Sequence, residues 1–238
     1  MNSRILSLVG NTPIVELNHF SKNSHFRLFA KLEAFNPGGS IKDRPALNII
    51  KAALERSDIG PGSTIIESSS GNMGIGLTQA CRCYGMRLIC VVDAKTTAQN
   101  IGILRAYGAE VDLVSEPDPA TGEFLQARIN RMQSLLHSIP NSFWPDQYSN
   151  IQNAIAHEQT MHEIAAELGG KVDYLFCSTS TCGTIRGCAT YARDYKLQTK
   201  VLAVDDIGSV LFSDKPAKRP FGPHYCPFAG WRPEHRRV

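Results

Sequence analysis

Arg87-Leu88-Ile89-Cys90-Val91-Val92-Asp93 is the stretch that decides the fold class. Five apolar residues in a row lie between two charged ones. A strand with one wet face alternates apolar and polar side chains. A near-continuous apolar run reads instead as a strand covered on both faces, the condition of a parallel sheet between helix layers. On its N-terminal side, Thr64–Glu67 reads as a short strand and Asn72–Tyr84 as a helix. On its C-terminal side, Thr97–Tyr107 reads as a helix and Glu110–Val114 as a strand. Further out the same alternation holds. Phe26–Leu32 is a strand, and Ile41–Arg56 is a helix with Leu47, Ile50 and Leu54 on one stripe. Phe124–His137 and Ile151–Leu168 are helices, followed by strand Val172–Cys177, helix Thr184–Tyr195 and strand Val201–Val204. This order predicts an α/β protein with parallel sheets and helices on both faces. Periodicity stops from Pro216 onward, where prolines and arginines are frequent and a parallel sheet cannot continue.

Composition excludes several classes. The 238 residues are 42% hydrophobic, enough for one large core or two modest ones. The net charge of +3 is spread over both signs and gives no reason to expect a nucleic-acid partner. No apolar run of about 18 residues is present, so no membrane span is expected. Met1–Gly10 is too short and polar for a secretory signal. Seven cysteines, an odd number with no C-x-x-C pair, point to reduced thiols in a cytoplasm. Cys81 and Cys83 do not share a helix face. His157 and His162 are five apart where a zinc-binding helix pair needs four. No metal site is expected, and both histidines read as ordinary helix residues.

Three polar or Gly-rich turns each lie between a strand and a helix, where unpaired N–H groups and the helix dipole favour anions. The first is Asn36-Pro37-Gly38-Gly39-Ser40-Ile41-Lys42-Asp43-Arg44. Ser40 suits an N-cap and Asp43 the first turn. Lys42 does not, because a cation there opposes the dipole. Such a field disfavours the ammonium form, which a lysine nucleophile for an aldehyde requires. A solvated surface lysine is the plain alternative. The second turn, Glu67-Ser68-Ser69-Ser70-Gly71-Asn72-Met73-Gly74, suits either a small carboxylate or a simple serine cap. The third, Ser178-Thr179-Ser180-Thr181-Cys182-Gly183-Thr184, offers hydroxyls and backbone N–H groups to a phosphate monoester, or again a capped turn. It lacks the Gly-Lys-Ser/Thr ending of a Walker loop.

Together these segments resemble the cysteine synthase/cystathionine β-synthase family of fold-type II pyridoxal 5′-phosphate (PLP) enzymes. The likeness starts at Gly10-Asn11-Thr12-Pro13, runs through Lys31-Leu32-Glu33, Asn36 to Arg44, Ser69 to Gly76 and Ser180 to Thr184, and ends near Asp205. It implies a tryptophan synthase β-like fold of two three-layer α/β domains. Residues 1–44 and 146–215 would form an incomplete large PLP-binding domain and 45–145 a smaller inserted domain, with 216–238 an irregular tail. It implies that Lys42 carries the cofactor and acts as the catalytic base. Asn72 would bond the ring hydroxyl, and Ser180, Thr181, Cys182, Gly183 and Thr184 would form the phosphate cup. Ser69, Ser70, Gly71 and Met73 would cradle the substrate carboxylate. The family usually has more glycine in the cup and threonine where Met73 stands.

Lys42-Asp43-Arg44-Pro45-Ala46, Val91 to Lys95, Phe143-Trp144, Gln147 to Asn150, Gly208 to Phe212 and Asp214-Lys215-Pro216 resemble one branch of the family. That branch joins O-phospho-L-serine to L-glutamate, giving N-(2-amino-2-carboxyethyl)-L-glutamate for 2,3-diaminopropionate and siderophore biosynthesis. By the same likeness Arg128 and Tyr148 contact substrate, against the plain reading of Arg128 as a solvated helix residue. The implied protein is a cytoplasmic homodimeric transferase acting on small amino acids. Two alternatives accompany it: a cysteine synthase using O-acetylserine or O-phosphoserine with sulfide, and an inactive PLP-binding remnant. Family members run well beyond this chain's length, and without their last third a parallel sheet would expose apolar surface.

Overall fold

A computed structural model describes residues 5–22 and 24–205. The residues from Pro216 on, Gly208–Phe212, Asp214–Pro216 and Cys226 lie outside the described residues. The chain divides between Asp146 and Gln147 into two compact units.

The first unit opens with strand β1 (Ile14–Glu16), the single helical turn α1 (Asn18–Ser21) and strand β2 (Phe29–Lys31). β1 and β2 pair antiparallel, a small sheet beside the expected parallel ones. The link between them carries one helical turn and no crossover helix to return the chain in parallel. Then come α2 (Asp43–Glu55), β3 (Thr64–Ser68), α3 (Asn72–Cys83), β4 (Arg87–Asp93), α4 (Ala98–Tyr107), β5 (Glu110–Val114), α5 (Phe124–Ser138) and β6 (Ser142–Phe143). The four strands form a parallel sheet in the order β5-β4-β3-β6.

The apolar run of β4 divides its residues between two cores, as a covered strand must. Leu88, Cys90 and Val92 join Ile65 and the buried residues Ile50, Leu77 and Leu104 from the flanking helices. Ile89 and Val91 join Ile66 and the α5 residues Met132 and Leu135 on the opposite face. Each such buried aliphatic side chain contributes about 1.5–3 kcal/mol. α2 buries Ala46, Leu47, Ile49, Ile50 and Ala53 along one stripe. Its Pro45 lies in the first turn, where a missing N–H costs nothing. Thr97 caps α4 by accepting from the Asn100 N–H at 3.2 Å.

The second unit contains α6 (Ile151–Glu167), β7 (Tyr174–Ser178), α7 (Gly183–Asp194) and β8 (Lys200–Val204). β7 and β8 pair in parallel, from Tyr174 with Lys200 to Ser178 with Val204. Leu175, Cys177 and Val201 pack with Met161, Ile185, Cys188 and Ala192. α6 and α7 touch backbone to backbone, since a Cβ on Gly187 would collide with the Ala154 carbonyl oxygen. Among the described residues no helix is long and apolar enough to cross a membrane, and the six described cysteines are free thiols.

Candidate functional site

In the first unit, the loop carrying Lys42 is held at both ends by one polar network. Glu33 accepts from Arg44 Nε at 2.7 Å and Nη2 at 2.8 Å, from Thr12 Oγ1 at 2.6 Å and from Asn36 Nδ2 at 2.9 Å. Asn36 Oδ1 in turn accepts from the Gly10 N–H at 2.8 Å, and Lys31 Nζ donates to the Thr12 carbonyl at 2.7 Å. The Arg44 and Glu33 side chains are 3% and 14% exposed. Burial pushes the Glu33 carboxyl up. The hydrogen bonds from Arg44 and Thr12, the Arg44 charge and the Asn36 bond outweigh it and hold the group below its usual value. The dispersed motifs at residues 10–13, 31–33, 36 and 44 are therefore one scaffold in space.

Lys42 itself is half-buried and occupies the N-cap of α2. This corrects the assignment of Ser40 as the cap. The Ser40 hydroxyl instead accepts from the Lys42 N–H at 3.2 Å, a local turn that competes with capping. Asp43 does lie in the first turn, buried, accepting from the Gly38 N–H. Burial pushes its carboxyl up, and the nearby Glu33 charge adds to that. The start of α2 sits hard against α3. A Cβ on Gly76 would lie 2.9 Å from Ala46 Cβ and 3.1 Å from the Lys42 carbonyl oxygen. Lys42 and the turn preceding α3 are thereby brought to one place.

In that turn Ser69 is buried and its hydroxyl accepts from the Gly74 N–H at 3.1 Å, so it serves as a helix cap. The Ser70 carbonyl is held by Asn100 Nδ2 at 2.9 Å. Gly71 is the N-cap of α3 and Asn72, its first residue, is exposed. The Met73 side chain packs in the core with Ile75 and Leu77, which leaves only its backbone for a ligand. Arg128 is not a solvated helix residue. Its side chain is 16% exposed and its Nε lies 3.1 Å from Asp93 Oδ2. Burial and then the Glu67 charge push the neighbouring Cys90 thiol up to about 12, so it is no nucleophile at neutral pH.

In the second unit, the turn 179–183 leads from β7 into α7. Thr181 is buried and its Oγ1 accepts from Asn153 Nδ2 at 2.9 Å. Thr184 Oγ1 lies 3.3 Å from Nε2 of the fully buried His157. Cys182 is the N-cap, with φ of 59°, a left-handed conformation that glycine adopts without strain. A Cβ on Gly183 would collide with the Asn153 amide. The first turn of α7 contains no acidic residue. Ser180 is half-buried in the same turn, and Tyr148 is half-buried in the segment leading to α6. Hydroxyls, a glycine pressed close to its neighbours and the N-terminus of a 12-residue helix fit a phosphate monoester. Sequence reasoning missed Asn153 and took His157 as an ordinary helix residue. The available signal was two polar side chains at i and i+4 on a helix whose same face carries Met161 and Ile164 into the core.

Residues 5–225 match the pyridoxal-phosphate dependent enzyme family. The chain belongs to that family. It is 43% identical, over 216 residues and 90% of its length, to an N-(2-amino-2-carboxyethyl)-L-glutamate synthase of Ralstonia nicotianae. It spans 64% of that relative, slightly under two thirds. Its structure is similar to that of a hydrogen sulfide-producing enzyme from Fusobacterium nucleatum, with TM-score 0.82 and 33% identity over 92% of this chain and 70% of that one. It is also similar to O-ureido-L-serine synthase, with TM-score 0.83 and 29% identity over 95% of this chain and 71% of that one. The α/β fold with parallel sheets is the one these PLP enzymes share, and PLP is the cofactor of the family.

Proposed function

We propose that this PLP-family chain carries out β-replacement on an O-activated L-serine. The donor is O-phospho-L-serine and the acceptor is L-glutamate, giving N-(2-amino-2-carboxyethyl)-L-glutamate and phosphate. The observation that carries the reading is the 43% identity to the synthase of that product over 90% of this chain. In this reading residues 1–44 and 146–215 form the cofactor domain and 45–145 the inserted one. The protein works as a cytoplasmic homodimer in 2,3-diaminopropionate and siderophore biosynthesis.

Lys42 carries the cofactor, Asn72 bonds its ring hydroxyl and residues 180–184 hold its phosphate. When bound, the cofactor supplies an electron sink beside the substrate α-carbon. Lys42 Nζ would take the substrate α-proton as general base. Phosphate leaves the β-carbon with the bonding pair. The glutamate amine nitrogen forms a new bond to that carbon and gives up a proton, and Lys42 returns its proton to the α-carbon. Ser70, Gly71 and the backbone of Met73 orient the substrate carboxylate, with the Ser69 hydroxyl fixing the turn from within. Arg128, steadied by Asp93, and Tyr148 contact the substrate. A second reading, in which sulfide is the leaving group or, in the reverse direction, the acceptor in place of glutamate, is favoured by the 33% identity to the hydrogen sulfide-producing enzyme.

The test is spectroscopic and chemical. With PLP, the protein should show a near-visible absorbance band and a borohydride-fixed adduct on Lys42. Lys42→Ala should lose both, and phosphate release from O-phospho-L-serine should fall by at least about 100-fold. An adduct that survives in Lys42→Ala would assign the carrier elsewhere. Product formed with sulfide but not with glutamate would select the second reading. A band without phosphate release from any donor would leave a cofactor-binding protein without turnover.

A further inference from the structure

The two buried polar side chains on α6 have no part in the scheme above. Asn153 is 3% exposed and His157 is 0% exposed. They stand four residues apart, on one helix face. Asn153 Nδ2 donates to the Gln147 carbonyl at 2.6 Å and to Thr181 Oγ1 at 2.9 Å. His157 places Nδ1 3.2 Å from Thr160 Oγ1 and Nε2 3.3 Å from Thr184 Oγ1. A hydroxyl of the turn before α7 and one in the first turn of α7 are thus each met by a side chain from the same helix. The hydroxyl that accepts from an amide has its own proton turned away from that amide, as a donor to another group. Asn153 Oδ1 is buried without a hydrogen-bond partner, a cost that a purely structural amide does not need to bear. The close contacts of Gly183 with Asn153 and of Gly187 with α6 leave this arrangement no slack.

We propose that Asn153 and His157 are the positioning residues of the phosphate cup. They fix the hydroxyls of Thr181 and Thr184 so that the turn is set for a phosphate monoester before one arrives. The inference rests on the reading of residues 180–184 as that cup. Preorganised donors raise affinity by sparing the ligand the ordering of the turn. The phosphate group is therefore what α6 helps to recognise, and the rest of the cofactor is indifferent to it.

The experiment compares the affinities of the full chain for pyridoxal 5′-phosphate and for pyridoxal, which lacks the phosphate, by absorbance titration. The wild type should prefer the phosphorylated form. His157→Asn keeps an amide where Nδ1 meets Thr160 but cannot reach Thr184. It should reduce that preference about 2- to 10-fold, the scale of one lost side-chain hydrogen bond. His157→Gln, whose amide reaches the Nε2 position, should restore most of the preference. Asn153→Ser should reduce it to a similar degree. In a Thr184→Val background, His157→Asn should change the preference no further. That comparison remains decisive where a single variant folds poorly. A His157→Asn variant that melts lower but keeps the wild-type preference overturns the proposal and makes His157 a core residue only. A further drop in the Thr184→Val background overturns it too. A wild type with no preference for the phosphorylated form rejects the cup itself, and the proposal falls with it.

Discussion

Among the described residues, two parallel sheets treat their faces differently. In the first unit Leu88, Ile89, Cys90, Val91 and Val92 of β4 are all at most 3% exposed, split between cores on opposite faces. In the second, Leu175, Cys177 and Val201 pack beneath α6 and α7, while Tyr174, Phe176, Leu202 and Val204 are 53%, 62%, 37% and 48% exposed. Tyr174 and Phe176 stack on that outer face with ring centroids 6.5 Å apart. The outer face has the composition of a covered one, since parallel strands are ordinarily packed on both sides. The comparison teaches that strand composition records what a sheet is built to meet.

The strongest way to break the comparison is to cut one side chain from each sheet. Ile89→Ala removes a fully packed residue and should lower stability by about 2–5 kcal/mol. Phe176→Ser should stay within about 0.5 kcal/mol of wild type, as exposed positions do, and should reduce self-association by removing part of an apolar patch. Urea denaturation with light scattering reads both. If Phe176→Ser costs as much as Ile89→Ala, that face is covered in solution and the contrast between the sheets disappears.

The sequence was legible where a pattern was long enough to carry a period. The bounds of β4 and β5 agree residue for residue with the expectation, and the long helices agree to within one or two residues. β1, β6 and α1, with three, two and four residues, are too short to show any period. At the candidate site, the family motifs pointed to Lys42 and the turns before α3 and α7. They did not reveal that Thr12, Glu33, Asn36 and Arg44 form one network, because that is a fact of three-dimensional contact. Nor did they reveal that Met73 points into the core, since a methionine where the family has threonine looks the same in sequence whether it faces a ligand or a cavity.

A smaller effect sharpens the comparison at the helices. Gly76→Ala presses on Ala46 Cβ at 2.9 Å and the Lys42 carbonyl at 3.1 Å, whereas Gly187→Ala collides with the backbone of Ala154. None of these neighbours can swing aside, and the approach at Gly187 is the closer of the two. Both should destabilise by about 1–3 kcal/mol, with Gly187→Ala at the upper end. If Lys42 carries the cofactor as proposed, Gly76→Ala should in addition weaken PLP linkage there by displacing the start of α2. Equal melting losses with unchanged PLP linkage would show that the approach of α2 to α3 does not position the lysine.

The smallest effect is in the pH dependence of the first unit. Glu33 is held below its ordinary value of 4.5. Its contribution is present above that value and is lost as pH falls through the lowered one. Asp43 is raised above 3.8. Its contribution is present below 3.8 and is lost as pH rises through the raised value, so ionised Asp43 weakens the fold at neutral pH. Glu33→Gln should lower stability at neutral pH and flatten the loss on acidification. Asp43→Asn keeps an acceptor for the Gly38 N–H and removes the buried charge, so it should gain stability at neutral pH and none at low pH. Urea midpoints between about pH 3 and 7 measure both slopes. The two substitutions act on neighbouring carboxylates in opposite directions, so a common solvent effect cannot imitate them. Parallel profiles for wild type and Glu33→Gln would mean that the Glu33–Arg44 pair holds the lysine loop by shape alone, without a charge that titrates.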